Sequence, residues 1–179
     1  MEKIQIHTYK GPIGELVLGS YQERLCLCEW AFRKMRKAVD SRIQNGLKAE
    51  FEPGKSEVIE QTIRQLEEYF EQKRKVFDIP LLFVGSEFQR SVWEKLGEIP
   101  FGETRTYLGL SKELGNPDAI RAVATANGAN AISIIIPCHR VIGSDGSLVG
   151  YAGGLDAKKR LLKLENARVI SNKDQMGLF

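Results

Sequence analysis

Ile136-Pro137-Cys138-His139-Arg140-Val141-Ile142-Gly143, continuing Ser144-Asp145-Gly146-Ser147-Leu148-Val149-Gly150-Tyr151, is the stretch around which this sequence is organised. Before it lies an apolar run, Ile132 to Ile136, broken only by Ser133 and closed by Pro137. The run predicts a buried strand or extended segment that delivers a thiol and an imidazole to one edge of the protein. Glycine turns at Gly143 and Gly146 follow. The thiolate is the reactive form of cysteine, and a free thiol titrates near about 8.5, so a nucleophilic Cys138 needs a neighbouring base or cation. His139 could provide it. Adjacent strand residues point to opposite faces, so a water or a bend must connect the two. Read alone, the dipeptide also fits a small buried cysteine beside an exposed loop histidine.

On the C-terminal side, a helix is expected from about Asp156 to Glu165. It places Leu161 and Leu162 on the same face as Glu165, and a carboxylate flanked by apolar residues needs a buried partner. His139 would serve, giving the Cys–His–acid logic of an activated nucleophile. On the N-terminal side three helices are expected. The first, about Glu87 to Glu98, has Phe88, Val92, Trp93 and Leu96 on one face. The second runs roughly from Thr106 to Leu114 and is closed by Gly115. The third is capped by Asn116, with Pro117 at its first position and Gly128 just past its end. Helix, short Gly-containing turn and helix form a helix-turn-helix pattern. In the third helix Ile120, Val123, Ala124 and Asn127 are expected to face the core. The opposite face carries Arg121, Thr125 and Gly128 among alanines. One arginine among very small side chains suits close approach to a narrow minor groove better than base reading in the major groove.

The first half reads as a separate α/β unit. Ile4 and Ile6 alternate with polar neighbours, Gly11-Pro12-Ile13-Gly14 is a turn, and Leu16 to Leu18 forms a strand. Tyr21 to Arg24 turns into a third strand carrying Leu25, Cys26, Leu27, Cys28, Glu29 and Trp30. Residues 31–55 are charged and irregular, with one short helix followed by a loop through Pro53-Gly54. Ile59, Ile63, Leu66 and Phe70 mark an amphipathic helix over residues 56–72. Val76 to Leu82 is expected to be a last strand. Cys26 and Cys28 share a strand face and with His7 could supply three metal ligands, but structural zinc sites want four. The expectation is buried thiols, with no metal and no cofactor.

The 179 residues, a net charge of +3 and three cysteines without framework spacing fit a cytoplasmic protein in a reducing compartment. No apolar signal region and no run of transmembrane length is present in the sequence, so no membrane association is expected.

Pro-Cys-His-Arg-Val at 137–141, the thirteen-residue step from Cys138 to Tyr151, Gly153-Gly154 and Leu-Leu-Lys-Leu-Glu at 161–165 resemble the O6-alkylguanine-DNA alkyltransferases, also called methylated-DNA–protein-cysteine methyltransferases. The resemblance covers about Phe88 to Glu165. It implies a ribonuclease-H-like α/β domain at 1–83, a mostly α, winged-helix-like helix-turn-helix domain at 84–170, and a tail at 171–179. It implies DNA repair by direct, irreversible transfer of an alkyl group from O6-alkylguanine, and also from O4-alkylthymine, to Cys138. The partner is double-stranded DNA, and the protein acts as a monomer with no cofactor.

In this family the residue matching Arg121 fills the gap left by a flipped nucleotide, and that matching Tyr107 donates to the guanine N3 edge. The match of Asn130 ties the active-site turn together. The carbonyls of Cys138 and Val141 accept from the guanine amino group, and the Ala152 N–H donates to O6. A Glu165–His139–water–Cys138 relay would form the thiolate. Ala131 replaces a frequent proline, Ala124 a frequent glycine, and Ala152 a serine of some members. Two rival readings exist, a non-catalytic lesion binder and a cysteine hydrolase. Lesion-binding relatives carry tryptophan in place of the cysteine, and a hydrolase gives the helix-turn-helix no role.

Finally, Gln175-Met176-Gly177-Leu178-Phe179 resembles the bacterial sliding-clamp binding pentapeptide. Gln175, Met176, Leu178 and Phe179 fit it and Gly177 departs from it. The plainer alternative is that Leu178 and Phe179 fold back onto the domain.

Overall fold

Alternating apolar and polar residues set the first three strands. β1 (Lys3–Lys10), β2 (Glu15–Tyr21) and β3 (Arg24–Trp30) form an antiparallel meander. In this computed structural model the described residues are 2–170 and 176–178, with the backbone alone described at 169, 170 and 176–178. The β2–β3 turn is tight because Gln22 and Glu23 both adopt positive φ, +49° and +56°, the handedness that matches strand twist. The chain divides into two compact units, Met1–Gly85 and Ser86–Phe179.

Two elements of the first unit depart from the sequence expectation. In the charged stretch 31–55 the expected helix, α1 (Arg36–Leu47), runs to twelve residues, and a short strand, β4 (Glu50–Pro53), stands where a loop is expected. β4 pairs parallel to β1, giving the sheet order β3-β2-β1-β4. α1 buries only Val39 and Ile43, so its apolar stripe is too thin to register as a pattern. Conversely, Val76 to Leu82 is not a strand. It contributes a single bridge, Leu81 to Leu25, in which the Leu25 N–H donates to Pro80 O and the Leu82 N–H to Leu25 O, both at 2.8 Å. Pro80 has no N–H with which to extend a ladder. Side chains hold the segment instead. The Asp78 N–H donates to Gln65 Oε1 (2.8 Å), and the Asp78 carbonyl accepts from Gln61 and Gln65.

α2 (Glu57–Phe70) starts at Ser56, whose hydroxyl accepts from the Ile59 N–H. Its buried stripe is Val58, Ile59, Thr62, Gln65, Leu66 and Tyr69, so Ile63 and Phe70 flank the core rather than fill it. Cys26 and Cys28 are buried free thiols. Burial pushes Cys26 up to about 12 and raises Cys28 as well. Among the described residues no group of histidine, cysteine and carboxylate side chains could hold a metal, and no helix is long and apolar enough to cross a membrane.

In the second unit α3 (Glu87–Leu96) begins with a capping box between Ser86 and Gln89. Val92, Trp93 and Leu96 are buried, while Phe88 is largely exposed. The two-residue strand β5 (Arg105–Thr106) leads directly into α4 (Tyr107–Glu113), whose Thr106 cap accepts from the Gly109 N–H. α5 (Ile120–Gly128) packs on α3 and α4, and Trp93 Nε1 donates to the Ala126 carbonyl at 2.8 Å.

Asn116 does not cap α5. Residues 116–119 form a turn closed by Ala119 N–H to Asn116 O (3.1 Å), so the helix starts later than expected and includes Gly128. Its core face is Val123, Ala126 and Asn127, with Ile120 exposed. β6 (Val141–Ile142) pairs parallel to β5, and α6 (Leu155–Leu164) follows. β7 (Arg168–Ile170) pairs antiparallel with β8 (Met176–Leu178). Of the expected clamp motif, Gln175 and Phe179 lie outside the described residues.

Candidate active site

The apolar run before the thiol forms no regular strand. Residues 131–136 make a tight series of turns, with the Ile136 N–H donating to Ile132 O and the Ile135 N–H to Ser133 O. Ile134 sits at φ +72°, a left-handed conformation that is strained for a β-branched residue. Asn130 compensates from inside. It is buried, its Oδ1 accepts from the Ile132 N–H, and its Nδ2 donates to Ile136 O (2.9 Å), to Ile132 O (3.4 Å) and to Cys138 Sγ (3.2 Å). Cys138, His139 and Arg140 then form a single 3-10 turn. This turn is the bend that places a thiol and an imidazole in one neighbourhood.

Cys138 is 4% exposed and His139 fully buried. His139 Nε2 lies 2.7 Å from Glu165 Oε2. Glu165 is the C-cap of α6, on the stripe that also carries Ala157, Lys158, Leu161 and Leu162. Arg140 meets the same carboxylate in a bidentate arrangement. Its Nε donates to Oε1 (2.8 Å) and its Nη2 to Oε2 (3.0 Å), while Nη1 donates to Ile99 O (2.6 Å). Burial alone would raise Glu165, but His139 and Arg140 outweigh it and hold the carboxyl well below the usual carboxylate range. Burial lowers His139 despite the carboxylate beside it, and the Arg140 and Lys158 cations add to that lowering. The imidazole is therefore neutral near pH 7. With Nε2–H donating to Glu165, the lone pair sits on Nδ1, which has no hydrogen-bond partner among the described residues. A buried, oriented, unprotonated nitrogen on the same 3-10 turn as a thiol can serve as a base.

β5–β6 pairing puts Arg105 and Thr106 next to Val141 and Ile142, and so brings Tyr107 to the same place. Its hydroxyl donates to Val149 O at 3.3 Å. Burial raises its pKa, negative charge at Cys138 adds to this, and a hydrogen bond with Asn127 opposes it. Ala152 is half-buried in the loop that precedes α6. Arg121 is different. It is exposed on α5 with Ala122, Thr125 and Gly128. That face is open, since a Cβ on Gly128 would meet nothing within 4 Å.

Two charged residues of the site, Arg140 and Lys158, have no role assigned from the sequence, although Arg140 belongs to the Pro-Cys-His-Arg motif. Lys158 is fully buried and its ammonium donates to the carbonyls of Val141 (2.5 Å), Val149 (3.2 Å) and Gly150 (3.4 Å). The signal was present, because a lysine on the stripe of Ala157, Leu161, Leu162 and Glu165 cannot face solvent.

Both halves of the chain match family models. Residues 4–83 match the 6-O-methylguanine DNA methyltransferase ribonuclease-like domain, and residues 87–167 match the DNA binding domain of the same family. The methylated-DNA–protein-cysteine methyltransferase of Methanosarcina acetivorans is 46% identical over 160 residues, covering 89% of this chain and 96% of that protein. That of Mycobacterium leprae is 40% identical over 172 residues, covering 94% and 96%. A crystal structure of Mycobacterium tuberculosis OGT in complex with DNA is 38% identical, with a TM-score of 0.77, and covers 90% of this chain and 92% of that one. This chain belongs to the 6-O-methylguanine-DNA methyltransferase (methylated-DNA–protein-cysteine methyltransferase) family and is a methyl-transferring enzyme.

Proposed function

We propose that this protein repairs DNA by moving an alkyl group from guanine O6, and from thymine O4, onto Cys138 Sγ. The observation that carries the reading is the buried Cys138–His139–Glu165 set with a free acceptor on the imidazole. His139 Nδ1 takes the thiol proton, through a water where the two atoms do not meet directly. Glu165 orients the ring and stabilises the imidazolium. The thiolate attacks the alkyl carbon. A C–S bond forms, the C–O6 bond breaks, and its electron pair leaves with the base. Tyr107 donates to N3, which makes the base a better leaving group. Asn130 holds the turn, the carbonyls of Cys138 and Val141 accept from the guanine amino group, and the Ala152 N–H donates to O6. Nothing in the set reverses a thioether, so each chain acts once.

The target atom lies inside a stacked duplex, and reaching it means rotating the nucleotide out. α4 and α5 form the helix-turn-helix. The open, small-residue face of α5 enters the minor groove, and Arg121 fills the vacated place. The strand order β3-β2-β1-β4, with β4 parallel to β1, supports a ribonuclease-H-like first domain over 1–83. The second, winged-helix-like domain spans 84–170. Buried free thiols fit a cytoplasmic protein, and the proposed single transfer needs no more than a monomer.

Incubated with duplex DNA containing O6-methylguanine, the protein should gain the mass of one methyl group on Cys138 and saturate at one per chain. Intact-mass and peptide-mass spectrometry reads this, and steady turnover or labelling at Cys26 or Cys28 would refute it. The tail is a separable part of the proposal. Gln175, Met176, Leu178 and Phe179 would tether the protein to a bacterial sliding clamp and raise its local concentration on DNA. Met176–Leu178 must first leave its pairing with Arg168–Ile170. Purified clamp should bind the intact chain and not one truncated before Gln175; equal binding by both would refute the tether.

A further inference from the structure

Asn127 lies on the core face of α5, where nothing in the packing calls for a polar group. That face otherwise carries Val123 and Ala126, and Asn127 is itself only 6% exposed. An apolar side chain of similar size would fill the position with no polar atom to satisfy. The turn that bears Asn127 is fixed from two sides. Trp93 Nε1 donates to the Ala126 carbonyl, and the Asn127 carbonyl accepts from the Asn130 N–H at 3.3 Å. The side chain therefore starts from a held backbone, one turn before the residue that braces the thiol. It meets Tyr107, the first residue of α4, which packs on α5. The Asn127 side chain and the Tyr107 hydroxyl share a hydrogen bond, and that bond favours the phenolate. A bond of that sense has the amide N–H donating to the phenol oxygen. The other end of the amide agrees, since Asn127 Oδ1 is buried with no hydrogen-bond partner among the described residues. Tyr107 Oη thus accepts from Asn127 and directs its own hydrogen to Val149 O at 3.3 Å. That distance marks a weak bond, readily exchanged for a better acceptor.

We propose that Asn127 is a positioning residue for departure of the base, whose amide N–H donates to Tyr107 Oη and so orients that hydroxyl as a donor to guanine N3. The assignment rests on the role proposed above for Tyr107. A hydroxyl can accept or donate, and a rotor without a fixed partner divides its time between the two. With its oxygen engaged by Asn127, Tyr107 presents its hydrogen to an arriving acceptor. The bond it receives also polarises the O–H, which strengthens its donation as charge builds on the base. Burial and negative charge at Cys138 act the other way and raise Tyr107. Lys158 of α6 also faces this group, because its ammonium shares the Val149 carbonyl at 3.2 Å. No covalent bond of Asn127 changes in the transfer; it acts only through Tyr107.

The test is a double-mutant cycle on the full chain with free O6-benzylguanine, read as the limiting rate of Cys138 labelling. Asn127→Leu should lower that rate roughly ten-fold, the scale of one hydrogen bond in a buried site. In a Tyr107→Phe background the same substitution should change it by less than about two-fold, because the bond it removes is already gone. Alkylation of Cys138 by iodoacetamide, which has no purine to release, should be unaltered. In an NMR titration of isotope-labelled tyrosine, the Tyr107 midpoint should move to higher pH in Asn127→Leu, since a donor to the phenolate is lost. A residue that merely fills space would not move it. In the unmodified protein the Asn127 side-chain amide resonances should shift together with the Tyr107 titration, an arm that requires no variant to fold. Equal losses in the two backgrounds, an unmoved Tyr107 midpoint, or amide resonances indifferent to it would overturn the assignment. A Tyr107→Phe chain reacting at the unmodified rate would overturn the role of Tyr107 instead. Failure of the unmodified protein to label Cys138 with O6-benzylguanine would overturn the functional reading itself, and this assignment with it.

Discussion

Glu165→Ala should destabilise the second unit by about 3–5 kcal/mol, because it leaves the Arg140 guanidinium buried without its counter-charge. For a unit of this size the melting temperature should fall by on the order of 15 °C, read by thermal unfolding. From sequence, Glu165 has a single duty, to orient His139, and its loss should slow transfer with DNA affinity nearly intact. The structure gives it a second duty. Through Arg140 it holds Ile99 O, and the Gly102 N–H donates to its Oε1 at 3.4 Å, so the 99–102 loop is fastened to the end of α6. His139→Ala is the contrasting variant. It should slow transfer comparably but cost less stability, since the Arg140 pair survives it.

The pH dependence has a definite sign. Glu165 is held below its unfolded value, so its contribution is complete above about 4.3 and is lost as pH falls further. His139 is also lowered, and an unfolded chain takes up a proton there below about 6.5 that the native chain resists. Both make the native state less stable in acid, and Glu165→Gln should flatten the steeper, lower part of the curve.

Arg121→Ala should separate flipping from chemistry. Extruding a nucleotide costs a few kcal/mol, and losing most of the compensation for it corresponds to roughly a hundred-fold in rate. Repair of O6-methylguanine in a duplex should fall by about that factor. Reaction with free O6-benzylguanine, which requires no extrusion, should stay within about two-fold by the same conversion. Arg121 is exposed, so its removal should leave stability almost unchanged. Equal losses on the two substrates would remove the wedge assignment.

Much of this molecule is legible in its sequence where local patterns are strong. Alternation and turn residues locate β1, β2 and β3, and the apolar spacing of α2 and α3 locates those helices. Legibility fails where long-range pairing or satisfaction by backbone decides the outcome. β4 is four residues long and exists because β1 offers it an edge. The Val76 to Leu82 stretch has strand composition, but Gln61 and Gln65 capture Asp78 and Pro80 cannot donate. Asn116-Pro117 carries a helix-start signal and folds as a turn instead, so α5 starts at Ile120. In the site, Cys138, His139 and Glu165 are readable because acid, base and nucleophile have recognisable chemistry. Arg140 and Lys158 are not, because a cation satisfied by carbonyls or by a carboxylate already assigned elsewhere has no motif of its own.

The charged groups around the sulfur do not cancel. Glu165 supplies one negative charge, Arg140 and Lys158 one positive charge each, and the neutral His139 none. While Cys138 is a thiol, this buried interior holds one positive charge in excess. Proton transfer from Cys138 to His139 leaves that sum unchanged but sets the thiolate among positive charge in excess, which favours the reactive form independently of any single contact. A thioether is neutral, so the alkylated chain keeps the positive excess with no anion at the sulfur to oppose it. The same interior that completes the nucleophile is left electrically incomplete by its product.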